Sequence, residues 1–327
     1  MRRALGSAAL PLVTVIATCF NHERFVVECL ESIRAQTYPN IQLIIADDCS
    51  TDGSVPLIRD WLTQTGTVCT LILHQQNQGV CRTRNETLTH ARGKYVSSLS
   101  TDDVWLPHKL ADQVEQMEKL PLRVGVVYCD AARMDVEGRP LPNTFIEQIG
   151  TVERMPEGNL YETLLARNFI PAGATLVRRE CYEEVGSYDE SLIYEDWDMW
   201  LRIARRYEFA FIARIGARYR VHEDSLSFVL SNRLGGSRWW ESDLSIFLKH
   251  LGYSPAWDAV LWERIARTAY RLDHAERLRY AGASLRAGRS PRAFALYALC
   301  RAGIPYRRVA PLKRAATRIG AALRPAR

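Results

Sequence analysis

Tyr95-Val96-Ser97-Ser98-Leu99-Ser100-Thr101-Asp102-Asp103-Val104-Trp105-Leu106-Pro107 carries three signals within thirteen residues. Tyr95–Ser100 reads as a buried strand. Two adjacent acids follow, and Pro107 then opens a helix, since proline suits a first turn. Carboxylates at a strand end can hold a hard divalent cation, which takes one or two of them and fills its shell with diphosphate oxygens and water. A turn or capping acid is the plainer alternative for a lone Asp-Asp pair.

Upstream, the same grammar repeats. Strands are expected at Leu12–Thr18, Ile41–Ala46 and Cys69–His74, and downstream at Val124–Cys129, with helical periods near 24–36, 54–65, 79–92 and 107–119. Such alternation implies an α/β fold with a mostly parallel twisted sheet and helices on both faces. Ligands in these sheets sit at the carboxyl ends of the strands. The polar runs Thr18–Asn21, Asp47–Asp52 and Thr101–Asp103 gather there. Residues 135–158, rich in Pro, Gly and Glu, read as a loop or short excursion. Beyond them come a helix at 159–167, a strand at 173–178, helices at 179–186 and 196–206, and strands near 208–221. From 234 onward the pattern is helical, with caps at Ser254 and Ser290-Pro291. These readings divide the chain into a catalytic-type domain at 1–232, with halves at 10–130 and 150–232, and a helical region at 233–327.

Composition excludes several classes. The 327 residues are 47% hydrophobic and 24% charged, as in ordinary globular chains. No apolar run reaches the length of a membrane span. Arg2-Arg3 before an apolar stretch has a signal-like look, but Val13-Thr14-Val15-Ile16 fits a buried first strand better. Among the eight cysteines no two stand closer than ten positions, so zinc-ribbon and thioredoxin-like spacings fail, and a reducing cytoplasm is the simplest compartment. The net charge of +6 is uneven: residues 301–327 hold eight Arg or Lys and no acid. In 306–327 apolar residues recur at helical intervals, so this tail could lie on an anionic membrane surface or pack with a solvated basic face. Nucleic acid is not expected, because nothing beside the tail could read it. A dinucleotide-binding oxidoreductase would need Gly-x-Gly-x-x-Gly after the first strand, and Thr18-Cys19-Phe20-Asn21-His22 has no glycine.

Other constellations have chemical and plain readings side by side. In Asp47-Asp48-Cys49-Ser50-Thr51-Asp52 one of Asp47 or Asp48 could accept from a nucleotide, while Asp52 fits helix capping. Arg84 could reach a base or phosphate, or simply be solvated. Trp197, Trp200, Leu201 and Ala204 share a helical face that suits the core. Asp196 stands near that helix start, as a capping acid or, if buried beside an acceptor hydroxyl, as a general base. His222 could ligate a metal, donate to a diphosphate or be structural.

The ordered series Ala17-Thr18-Cys19-Phe20-Asn21, Asp47-Asp48-Cys49-Ser50-Thr51-Asp52, Arg84-Asn85, Thr101-Asp102-Asp103, Glu195-Asp196-Trp197 and Arg220-Val221-His222 resembles the family-2 glycosyltransferases over roughly residues 10–230. Val185-Gly186-Ser187-Tyr188-Asp189 looks like the acceptor half of the same family. The resemblance implies a GT-A fold and inverting hexosyl or N-acetylhexosaminyl transfer from a nucleotide diphosphate sugar, UDP being the commonest base. It implies a glycan or lipid-linked acceptor, with a role in cell-surface polysaccharide or glycoconjugate synthesis in a bacterium, in the cytoplasm or at the inner membrane face. It implies Mn²⁺ or Mg²⁺ as cofactor. Position by position, Thr18, Asn21, Asp47, Asp48, Arg84 and Asp102 look like nucleotide-sugar contacts, Asp103 and His222 like metal ligands, and Asp196 like the catalytic base. A non-catalytic nucleotide-sugar or glycan-binding protein on this fold is the alternative. Two departures stand out. Ser100 replaces an acid that many members carry, and Cys49 replaces a common Gly where positive φ would suit glycine.

Overall fold

The computed structural model describes residues 10–150, 155–229 and 237–310. The chain divides into two compact units, Met1–Phe228 and Val229–Arg327.

The first unit is built on one sheet. Its first strands are β1 (Val13–Cys19), β2 (Ile41–Asp47), β3 (Cys69–Leu73) and β4 (Tyr95–Ser100), lying in the order β3-β2-β1-β4 with every neighbour parallel. All seven residues of β1 are buried, because strands pair on both its edges and helices cover both its faces. Helices α1 (Val26–Arg34), α2 (Ser54–Thr65) and α4 (Lys109–Lys119) pack Leu30, Ile33, Trp61, Leu110 and Met117 against Val13, Val15, Leu43, Tyr95 and Leu99. Each such side chain contributes about 1.5–3 kcal/mol on leaving water. Helix α3 (Val80–Thr89) lies against β1 and β2. Gly93 admits β4 to the sheet: any Cβ there would stand 2.5 Å from the Thr14 amide nitrogen.

Beyond β4 the sheet is mixed. Strands β5 (Val104–Trp105), β6 (Val124–Met134), β7 (Pro140–Thr144), β8 (Thr175–Arg178) and β9 (Glu208–Arg220) continue the order as β4-β8-β6-β9-β5, with β7 on β6. β8 is antiparallel to both β4 and β6, β5 is antiparallel to β9, and β6 and β9 run parallel. The parallel character expected of the sheet therefore holds through β1–β4, and beyond them for the β6–β9 pair. Two readings are corrected. The "strands near 208–221" are one strand, whose register shifts between Cys129 and Ala131 of its partner. The excursion at 135–158 contains β7 and a one-turn helix, α5 (Phe145–Ile149). That helix is fixed by a capping box in which Glu147 N donates to Thr144 Oγ1 and Thr144 N to Glu147 Oε2. Helices α6 (Tyr161–Ala166), α7 (Arg179–Val185), α8 (Asp196–Ala204) and the single turn α9 (Leu226–Phe228) complete the unit.

The second unit is helical over its described residues: α10 (Ser237–Lys249), α11 (Pro255–Arg271), α12 (Arg277–Gly288) and α13 (Pro291–Arg301). Ser254 and Ser290 cap α11 and α13, each followed by proline in the first turn. Among the described residues no helix is long and apolar enough to cross a membrane. In the basic tail, residues 311–327 lie outside the described residues.

Candidate active site

Register places the site. Cys19 pairs with Asp47, and Thr18 with Ser100, so β1, β2 and β4 end level and deliver their polar residues to one edge. The β4 turn is pinned there by Thr101 N donating to the Thr18 carbonyl at 3.0 Å.

Asp102 and Asp103 are both buried in this turn. Asp102 Oδ2 lies 3.0 Å from His222 Nε2 and 3.7 Å from His22 Nε2, while His22 Nδ1 lies 2.9 Å from Thr101 Oγ1. A carboxylate only accepts, so His222 donates from Nε2. Asp102 Oδ1 is buried without a hydrogen-bond partner among the described residues. Asp103 Oδ1 accepts from Arg220 N at 2.8 Å. The Arg220 guanidinium is buried among five partners. Nε donates to the Asp102 carbonyl, Nη1 to the Asp135 and Val136 carbonyls, and Nη2 to Glu28 Oε2 at 2.5 Å, over the ring of Phe25.

The two neighbouring carboxyls are driven apart. Burial opposes charge on Asp102, but the His22 and His222 imidazoles outweigh it and hold this carboxyl below the usual range. Burial, and then the Asp102 charge, push Asp103 well above that range. Both can ionise together only with more positive charge than the protein supplies here. His22, Asp102 and His222 offer ligand atoms within 4.8 Å of one another. An unpartnered carboxylate oxygen and imidazole nitrogens beside a second acid fit a divalent cation.

The β2 turn is differently satisfied. Asp47 Oδ1 accepts from Ser50 N at 2.8 Å and Oδ2 from Ser50 Oγ at 2.5 Å. Asp48 Oδ1 takes His74 Nδ1 and Gln78 N, and Oδ2 takes Gly79 N, all within 2.9 Å. Cys49 has φ +66°, the left-handed conformation its replaced glycine would have favoured. Asn21, at φ +56°, accepts Thr51 N on its side chain. Asp52 bridges Glu23 N and Ser54 N; Gly53 is the capping residue of α2. Arg84 is buried on α3, with Nη2 3.4 Å from Glu195 Oε1 and Nε unpartnered among the described residues. Its neighbour Asn85 bonds both N and O of Tyr188, docking the 185–189 segment on α3.

Asp196 opens α8. Its Oδ2 accepts from Asn168 Nδ2 at 2.7 Å and its Oδ1 from Trp197 N at 2.7 Å. It is partly exposed, yet desolvation, then the Glu195 charge, push its carboxyl up to about 7. Trp197, Trp200, Leu201 and Ala204 are all buried. The segment carrying Asn168 also reaches the other acids. A Cβ at Gly173 would stand 3.7 Å from Asp103 Oδ2, and Trp105 Nε1 donates to the Gly173 carbonyl. Five residues of chain span at most about 18 Å. Burial pushes the phenol of Tyr219 up to about 12, and the charges of Asp103, Asp102 and Asp196 add to the shift.

Three contributors escaped the sequence reading. His22 stands just beyond a strand end and could have been found by the rule that found Thr18. Asn168 and Tyr219 are placed by contacts distant in sequence, and no local pattern marks them; Arg220 stood in the Arg220-Val221-His222 stretch of the resemblance, but the partners of its guanidinium are equally distant.

Residues 14–186 match the family described as Glycosyl transferase family 2. An uncharacterized glycosyltransferase of Rickettsia prowazekii is 26% identical over 275 residues, 77% of this chain and 84% of that protein. An uncharacterized Mycobacterium tuberculosis protein is 30% identical over 221 residues, 64% of this chain and 59% of its own. Among solved structures, residues 1–349 of S. aureus TarS in complex with UDP-GlcNAc superpose with a TM-score of 0.59 at 16% identity, covering 87% of this chain and 83% of that one. The mannosyltransferase PcManGT of Pyrobaculum calidifontis, in complex with GDP-Man and Mn²⁺, gives 0.57 at 21%, covering 94% and 80%. The chain spans half of TarS in its longer structure. The sheet order, the strand-end acids and these likenesses describe one GT-A architecture.

Proposed function

The chain belongs to glycosyl transferase family 2 and is a glycosyltransferase, and from that premise we propose that it transfers a sugar with inversion from a nucleoside diphosphate, UDP first among candidates, to an acceptor hydroxyl. The observation that carries this reading is the Asp196 carboxyl, partly open at the start of α8, held at 2.7 Å by Asn168 Nδ2 and pushed up to about 7. A general base works best when its pKa lies near the operating pH. In this reading Asp196 takes the acceptor proton and Asn168 fixes the carboxylate's orientation. The alcohol oxygen attacks the anomeric carbon opposite the diphosphate, so one base suffices. Thr18, Asn21 and Arg84 surround the nucleotide, and Asp47 and Asp48, whose oxygens accept from Ser50, His74, Gln78 and Gly79, shape the loop that meets it. Arg84, with one free donor and a weak hold on Glu195, is disposed to turn toward a phosphate.

Asp103 and His222 are the proposed metal ligands, with Asp102 and His22 beside them; a bound Mn²⁺ or Mg²⁺ would offset charge on the leaving diphosphate. PcManGT with its Mn²⁺ and TarS with its UDP-GlcNAc support a divalent ion and a nucleotide sugar in this fold. Catalysis is assigned to 1–232, and the helical region 233–327 is given no part in the chemistry. A glycan or lipid-linked acceptor in cell-surface synthesis, met at the inner membrane face, completes the reading.

The test is nucleotide release from a panel of nucleotide sugars with Mn²⁺, with and without acceptor. Asp196→Asn should lower turnover by about 10²–10⁴-fold while nucleotide affinity stays within about twofold. Retained turnover would end the base assignment. A native chain that binds donor but never releases nucleotide would make it a binding protein.

A further inference from the structure

The second unit holds a feature with no place in the transfer reaction. A cleft of about 640 Å³ opens between α12 and α13, lined by Leu285, Arg286, Arg289, Ser290, Pro291 and Phe294. Arg286 and Arg289 are exposed, and among the described residues neither has an ion pair. At the rim Glu263 Oε2 accepts from Ser290 Oγ at 3.2 Å. Beside the arginines, Phe294 is 64% exposed, an unusual position for so large an apolar ring.

Charge along the chain gives this cleft a direction. Glu276 is the last acid in the sequence, and 277–327 carry twelve arginines and one lysine. With +6 overall, the preceding 276 residues sum to −7. A segment so basic is drawn to an anionic surface. Two guanidiniums lining one cleft at the end of α12 suit phosphate oxygens, and an exposed phenylalanine on the same lining suits the acyl boundary just beneath a headgroup.

We propose that the α12–α13 cleft is a docking site for an anionic phospholipid bilayer, with a headgroup phosphate between Arg286 and Arg289 and Phe294 inserted beside it. The proposal is independent of the transferase reading, because its readout needs no turnover.

The test is co-sedimentation of the full chain with phosphatidylcholine vesicles and with vesicles that also contain phosphatidylglycerol. The native chain should partition to the anionic vesicles alone, and less so as salt rises. The variant Arg286→Ala with Arg289→Gly leaves the fold intact, since both side chains are exposed and Arg289 sits at φ +40°, where glycine is at ease. It should partition about thirty-fold more weakly, from about 1 kcal/mol per arginine near a charged surface. Phe294→Ser should weaken it further, whereas Arg59→Ala with Arg123→Ala, which removes two charges from the other unit, should not. A cleft variant that sediments like the native chain would overturn the site and move binding to another basic segment. Equal partition to neutral vesicles would overturn it too. So would loss of binding to millimolar inorganic phosphate but not to chloride of equal ionic strength, which would make the cleft a free-phosphate site.

Discussion

Two turns in this molecule begin alike and end differently. β2 and β4 flank β1 in one parallel array, each largely buried, each leading into Asp-Asp. After β2, Asp47 and Asp48 spend their oxygens on Ser50, Gln78, Gly79 and His74. After β4, one oxygen of Asp102 has no partner among the described residues and Asp103 is pushed toward its neutral form. The first pair folds a loop. The second holds unspent charge, which is the condition for binding a cation. An acid pair is thus assigned by counting what its oxygens already accept, because a saturated carboxylate has little left for a ligand.

The sharpest way to break this contrast is to make the same exchange in both turns. Asp103→Asn should keep the amide bond from Arg220 and remove a buried like-charge conflict. Stability should hold or rise, while metal-supported transfer falls by about 10³-fold. Normal transfer without added metal would contradict the role given to Asp103. Asp48→Asn should do the reverse. The new Nδ2 would face a backbone donor, so about 3 kcal/mol of stability should go in denaturant melts, while the folded fraction keeps most of its turnover. Equal stability losses in the two variants would erase the distinction.

Asp196 extends the comparison to a third carboxylate, held by one side chain and its own neighbour's amide. With its carboxyl near 7, transfer should rise with pH through that value along a limb of unit slope. Glu195→Gln removes a charge that raises Asp196 and should move the limb toward acid. A limb unmoved by that change would put the titration on another group. The same carboxyl holds its proton more tightly in the folded chain than in the unfolded one, where 3.8 is ordinary. Its contribution to stability is therefore full below about pH 4 and is lost as pH rises toward 7.

The smallest effect concerns Cys49. At φ +66° a Cβ costs about 1–2 kcal/mol, partly regained as glycine's freedom in the unfolded chain. Cys49→Gly should raise stability by about 0.5–1 kcal/mol with little change in transfer. A lower melting temperature would show that the thiol contributes more to the turn than its strain removes.

These turns also mark how far a sequence can be read. Both strands, the helices after them and the strain at Cys49 were legible, because period, caps and turn chemistry act within a few residues. The difference between the turns was not. It depends on His74, His222 and Arg220, which stand 26, 120 and 117 residues from their acids. The capping box at Thr144–Glu147 was legible but was masked by the Pro and Gly around it. β8 was expected as a strand, but its antiparallel insertion between β4 and β6 follows from topology, which short-range signals do not carry.

Arg220 has a consequence for divergence. Three of its guanidinium bonds end on main-chain oxygens, of Asp102, Asp135 and Val136, which any residue would supply. Mutation at those positions changes nothing that Arg220 recognises. Among the described side chains its guanidinium has one ion-pair partner, Glu28. A lineage can therefore replace most of what surrounds the β4 turn and keep its shape, provided one arginine survives. Chimeras that exchange segments between distant relatives should tolerate crossovers almost anywhere that leaves the pair at 28 and 220 from one parent.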